Sequence, residues 1–134
     1  MSITLTDQDK LTLRTAAYGA VTLMAAAGGS PHRSATDGTI ALSSATGLIG
    51  HVLAEKSKGM NLKSKSVAGL ADHVLPALTA TMSMLEKQAP AEADNFRSIV
   101  MMAIETAARP RKGEPSPAMA EMARKITGAI DAAR

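Results

Sequence analysis

Apolar side chains recur every three or four residues along most of this chain, the spacing that places them on one face of an α-helix. The pattern predicts a first helix over about residues 7–27, with Thr6 as its N-cap and Asp7 and Asp9 in its first turn. A glycine pair that begins at Gly28 ends this helix. Its buried stripe is predicted to consist of Leu13, Ala17, Ala20, Met24 and Ala27.

The same spacing predicts further helices, joined by short loops. A second begins near Ser34 or Thr36 and ends near Ser57, a third begins near Ser66, a fourth covers about residues 91–108, and a last one begins at Pro117. The third pattern contains Pro76, which lacks an amide hydrogen and clashes with the preceding turn, so we expect a kink or a break there. The lysine-rich stretch of residues 56–66 is typical of an exposed linker.

Composition favours the same fold class. The chain is rich in alanine and has nine methionines, both strong helix formers, but it has one tyrosine, one phenylalanine and no tryptophan. We therefore expect an all-α fold: a single domain over residues 1–134, built as a compact bundle of five or six helices. The absence of cysteine excludes disulfides, thiol nucleophiles and cysteine-ligated metal sites.

Formal charges are missing from two long runs, residues 15–32 and 38–54. A helix that faces water normally carries a charged side, so helices in these runs are expected to be covered on more than one side. Three interpretations remain: burial beneath the later helices, an interface between copies of the chain, or a membrane hairpin. The interface is favoured, most simply in a twofold homodimer.

The membrane interpretation is the weakest of the three. Each uncharged run is shorter than the roughly 20 apolar residues that span a bilayer, and Gly19 and Thr46 dilute the runs further. Near the N-terminus, Asp7 and Asp9 stand where a signal peptide carries basic residues. We expect a cytoplasmic protein.

Two decapeptides agree at six of ten positions: SATGLIGHVL over residues 44–53 and SVAGLADHVL over residues 66–75. In a helix, the shared serine, glycine and histidine fall on one face, and small residues on such a face let two helix backbones approach closely. Either the repeat forms a helix-packing surface, or the similarity is an accident of composition. The candidate contact residues are Ser43, Gly47, Gly50, His51, Ser66, Gly69 and His73.

Two clusters contain groups that bind metals or move protons: His51 with Glu55 one turn later, and Asp72 beside His73. Neither forms a recognised metal-binding motif, and a site would require partners from another helix. Ordinary histidines on a helix face are the preferred interpretation. No nucleophile motif or phosphate-binding loop is present, so we expect no catalytic activity and no cofactor.

Methionines from three helices form another candidate site, because a surface lined by methionine adapts to varied apolar ligands. The residues concerned are Met82, Met101, Met102, Met119 and Met122. An ordinary core that contains methionine explains the same pattern. The net charge of +3, with lysines in the linker and Arg109, Arg111 and Lys112 in a later loop, permits weak nucleic-acid binding. The near absence of aromatic residues argues against nucleic acid as a partner.

From these patterns we expect a non-catalytic helical interaction or scaffold module that self-associates through an uncharged helical face. A protein that holds a small apolar ligand or a metal between its helices is the main alternative. A weak nucleic-acid binder is the third.

Overall fold

Every element in the described part of the chain is an α-helix, which confirms the predicted all-α bundle. The computed structural model describes residues 5–27, 47–54, 67–108 and 117–133. Within these ranges the helices are α1 (Asp7–Ala27), α2 (Gly47–Ala54), α3 (Val67–Gln88), α4 (Pro90–Ala108) and α5 (Pro117–Asp131). The predicted beginning of the second helix near residues 34–36 and the basic linker lie outside the described residues.

Helix α1 begins with a reciprocal capping arrangement. The Asp9 amide donates to the Thr6 hydroxyl at 3.0 Å, and the Thr6 amide donates to an Asp9 carboxylate oxygen at 3.1 Å. Two amides that have no partner inside the helix are thereby satisfied. The prediction that Thr6 is the N-cap is confirmed.

Helix α3 continues through Pro76, so the prediction of two separate pieces is wrong. Pro76 is exposed, as are Asp72 and His73 in the preceding turn. The carbonyl that loses its amide partner to the proline belongs to Asp72, in a turn where water can replace the missing bond. The prediction of a kink at Pro76 stays a prediction.

Helix α1 is the most enclosed element. It contacts each of the other four described helices, as α4 also does, but its buried residues run almost without interruption from Leu13 to Ala25 rather than along one stripe. The other helices each present one buried face to the core. Large fully buried side chains in this core include Leu13, Leu23, Met24, Leu78, Met82, Phe96 and Ile126.

A glycine sets the separation between α1 and α3. An ideal Cβ atom built on Gly19 would lie 2.5 Å from Val74 Cγ2 and 2.9 Å from Val74 Cγ1. The isopropyl group of Val74 therefore occupies the space that any larger residue at position 19 would need. Because valine is stiff at χ1, it cannot turn away without moving its helix.

Two hydroxyl groups, one on α1 and one on α3, each bind the last turn of another helix. Tyr18 donates to the backbone carbonyl of Leu53 at 2.7 Å, and Thr79 donates to that of Ala129 at 2.7 Å. Both acceptors lie in the last turn of a helix, where carbonyls lack amide partners within the helix. The position of α2 against α1 thus depends on a hydrogen bond as well as on apolar packing.

Helices α4 and α5 are antiparallel. Arg97 pairs with Asp131, and one turn further along α4 the sulfur of Met101 lies 3.5 Å from the Thr127 hydroxyl. From Arg97 to Met101 the contacts advance toward the C-terminus of α4, while from Asp131 to Thr127 they advance toward the N-terminus of α5. The ion pair is partly exposed and contributes little to stability, but it fixes the register of the two helices.

Replacing Gly19 with alanine is expected to destabilise the fold by about 1–3 kcal/mol, because the added methyl group overlaps Val74. Gly128 is the matched control: it also lies within a helix, but a Cβ atom there meets nothing within 4 Å. Gly128→Ala is expected to stabilise the protein by up to about 1 kcal/mol through helix propensity. Urea unfolding of both variants measures these changes, and changes of the same sign would contradict the packing at Gly19.

Burial raises the pKa of the Tyr18 phenol above its ordinary value of 10.0, although the nearby Arg14 acts in the opposite direction. The folded chain therefore keeps the phenol proton at pH values where the unfolded chain has released it. This stabilisation is complete below about pH 10 and is lost as the pH rises through the folded pKa.

We expect the unfolding free energy of the native sequence to fall more steeply above pH 10 than that of Tyr18→Phe. The variant itself should be less stable at neutral pH by about 1 kcal/mol, because it lacks the bond to Leu53. Because the chain has one tyrosine, absorbance of the tyrosinate follows this residue alone. An ordinary pKa for Tyr18 in the folded chain would contradict the buried environment.

Candidate functional site

The first uncharged run is covered by the chain itself. Of its described part, residues 15–27, nine are buried, among them Thr15, Gly19 and Met24, and Ala26 is the one exposed residue. The neighbours that cover it are the other described helices. The prediction that this part of the run presses against a second molecule is therefore wrong.

Several threonine hydroxyls in the described helices donate to the backbone of their own helix. The Thr22 hydroxyl donates to the carbonyl of Tyr18 at 2.8 Å, within the same helix. Thr106 and Thr127 make the same bond to the carbonyl four residues earlier, at 2.8 and 2.9 Å. Each hydroxyl is thus satisfied locally and can lie between helices.

Helix α2 contains the described part of the second uncharged run. Ile49, Gly50, Val52 and Leu53 are buried, whereas His51 is exposed. Gly47 is the first residue of the helix. Ser43 and Glu55, which belong to the predicted contact and metal sets, lie outside the described residues.

The two copies of the decapeptide do not pack against each other within the described ranges. Helix α2 contacts α1 and α4 there, and it has no contact with α3, which carries the second copy from Val67 onward. Gly50 is buried in the bundle, whereas Gly69 is exposed. The predicted pair of decapeptide faces does not form among the described residues of one chain, and a pair between two chains stays a prediction. Ser66 lies outside the described residues.

Helix α3 has two opposite faces with different chemistry. Its inner face packs into the core through Leu70, Val74, Leu78, Met82 and Leu85. Its outer face carries Gly69, Asp72, His73, Pro76 and Ala80, all exposed and spaced three or four residues apart or adjacent. We call these five residues the α3 outer strip. The helical period therefore aligns small residues around one carboxylate and one imidazole.

The candidate metal ligands do not assemble in the described part of the chain. His51 is exposed on α2, and Asp72 and His73 are exposed on α3, a helix that α2 does not contact. Among the described residues no group of three or more His, Cys, Asp or Glu side chains is close enough to hold a metal ion.

The five candidate methionines lie in three different environments. Met82, Met119 and Met122 are buried in the core, Met101 is half-buried, and Met102 is exposed. The spacing of apolar residues in the last predicted helix places Met119 and Met122 on its inward face, and the burial of both confirms this. Near Met82, the fully buried hydroxyl of Thr81 has no hydrogen-bond partner within the described part of the chain.

Two polar residues important for the arrangement have no signal in the sequence. Tyr18 and Thr79 bind backbone carbonyls on helices distant in sequence, and a carbonyl acceptor is present at every position. The ion-pair partners of charged residues are equally hard to infer from the sequence, as Arg97 shows. Its hydrogen bond with Asp131 raises the pKa of the guanidinium, but this partner lies 34 positions away along the chain.

None of the helices described here is long and apolar enough to cross a membrane. Searches for related proteins found no matching family model, no matching curated protein and no matching solved structure.

Proposed function

We propose that this chain is a non-catalytic helical interaction module that forms a homodimer through the α3 outer strip. The observation that carries the proposal is the continuous exposed row from Gly69 to Ala80, directly opposite the face that builds the core. This row replaces the uncharged face of α1 as the contact surface, because α1 is enclosed.

Small side chains on the strip favour a close helix pair. Gly69 and Ala80 extend little or not at all beyond the backbone, so a second helix can approach closely and gain dispersion contacts along its length. Such a surface makes the most dispersion contacts with a partner that is equally flat. A second copy of the same strip meets this condition.

Charge on the strip favours a twofold arrangement. Asp72 and His73 are adjacent near its centre. Two copies that cross antiparallel about a twofold axis can place Asp72 of each beside His73 of the other, so that each contact occurs twice. A contact of one helix face is small, and we expect dissociation constants of about 1 µM or weaker. A cytoplasmic location remains part of this proposal and is tested by cell fractionation.

Sedimentation velocity over a concentration series tests the dimer. Ala80→Arg places a long cation within the proposed contact and is expected to weaken association at least about tenfold, which corresponds to about 1.4 kcal/mol. Ala120→Arg is the matched control, because Ala120 is an equally exposed alanine on α5. Circular dichroism establishes that both variants remain helical.

A charge exchange tests the twofold arrangement itself. Asp72→Lys alone is expected to weaken association, and the double variant Asp72→Lys with His73→Asp is expected to restore it, because the introduced lysine and aspartate then face each other across the axis. A native chain that stays monomeric at the highest concentration would refute the dimer. Equal effects of Ala80→Arg and Ala120→Arg would refute the α3 outer strip as its contact surface.

A further inference from the structure

Met102 differs from the other methionines that the structure describes. Its residue surface is 62% exposed, whereas Met24 and Met82 are fully buried and Met119 and Met122 are 6% and 7% exposed. Among the described residues it is the one large apolar side chain with such exposure. Oxidants dissolved in water therefore reach its sulfur, while the packed core shields the sulfurs of the buried four.

Its neighbour in the chain shows that sequence position alone does not cause this difference. Met101 is half-buried, and its sulfur lies 3.5 Å from the Thr127 hydroxyl on α5, which donates its hydrogen to the carbonyl of Ala123 at 2.9 Å. Partial burial therefore limits the access of solvent to this sulfur. Two adjacent methionines thus present one partly covered and one accessible thioether.

Hydroxyl side chains lie one helical turn on either side of Met102. Ser98 precedes it by four residues and is exposed, and Thr106 follows it by four residues and donates to the Met102 carbonyl at 2.8 Å. Residues four apart are neighbours on a helix surface. Ser98 is therefore placed to donate to an oxygen added to the Met102 sulfur, whereas the hydrogen of Thr106 is already donated to the Met102 carbonyl.

We propose that Met102 is a site of reversible oxidation by peroxides, with Ser98 and Thr106 beside the product. A lone pair of the thioether sulfur attacks one peroxide oxygen, an S–O bond forms, and the O–O bond breaks. The sulfur loses two electrons and becomes a sulfoxide. The attacked oxygen loses its proton and the other peroxide oxygen takes one up, so that hydrogen peroxide leaves one molecule of water. Enzymatic reduction returns a sulfoxide of this kind to the thioether.

Oxidation at this position alters a surface and leaves the core intact. The modification turns an exposed apolar side chain on α4 into a polar one, without inserting oxygen among packed residues. This site is on a different helix from the α3 outer strip, so its test is independent of the proposed dimer.

The test exposes the folded full-length chain to dilute hydrogen peroxide and measures oxidation at each methionine by peptide mass spectrometry. Met102 is expected to oxidise at least about tenfold faster than Met24, Met82, Met119 and Met122. In denaturant these rates are expected to converge, because burial and not local sequence causes the difference. Circular dichroism is expected to show unchanged helix content after the first oxidation of Met102.

Two leucine variants complete the experiment. After brief treatment, Met102→Leu is expected to take up one oxygen atom fewer than the native chain. Met122→Leu removes a buried methionine and is expected to take up the same number as the native chain. Equal rates at Met102 and the buried methionines in the folded chain, selectivity that persists in denaturant, or unchanged uptake by Met102→Leu would each overturn the proposal.

Discussion

Contact between Val74 and Gly19 sets how closely α1 and α3 lie, and the described bundle is arranged around that pair. A residue with a Cβ atom at position 19 would push the two longest described helices apart. Side chains such as Leu13, Met24 and Leu78 fill the remaining space, and protein interiors tolerate neither voids nor overlaps of even one methyl group. The space left by the absent side chain of Gly19 on α1 is thus filled by the stiff side chain of Val74 on α3.

Enclosure of α1 explains the run without formal charge. Arg14, which directly precedes the run, is 8% exposed. Within the run itself a charged side chain would lose much of its hydration against the neighbouring helices, and that loss is expensive. Thr22 avoids this cost, because its hydroxyl donates to the Tyr18 carbonyl of its own helix. The same uncharged composition would also suit a surface that meets another molecule, and for this reason the sequence favoured an interface that the packing of α1 does not provide.

The two decapeptides, which agree at six of ten positions, show how far similar local sequences can diverge in a tertiary structure. The described part of the first copy lies in α2, which buries Ile49 and Leu53 between α1 and α4. The second lies in α3, a helix long enough to place Val74 against α1 and to leave Gly69 and His73 facing outward. Both histidines are exposed, so the shared residue is a surface feature in each copy. The proposed dimer and the proposed oxidation at Met102 use separate outer faces of this bundle.

The amino-acid sequence determined the features that depend on near neighbours. Helical periodicity gave the fold class and the inward positions of Met119 and Met122, and capping chemistry gave the starts at Thr6 and Pro117, because these signals act within about one turn. Only the tertiary structure decided which helix lies at the centre, that α3 passes Pro76 as one helix, and that Tyr18 binds the carbonyl of Leu53. Those outcomes depend on which distant segments pack together, and the energies that choose among packings are sums over contacts that no local pattern contains.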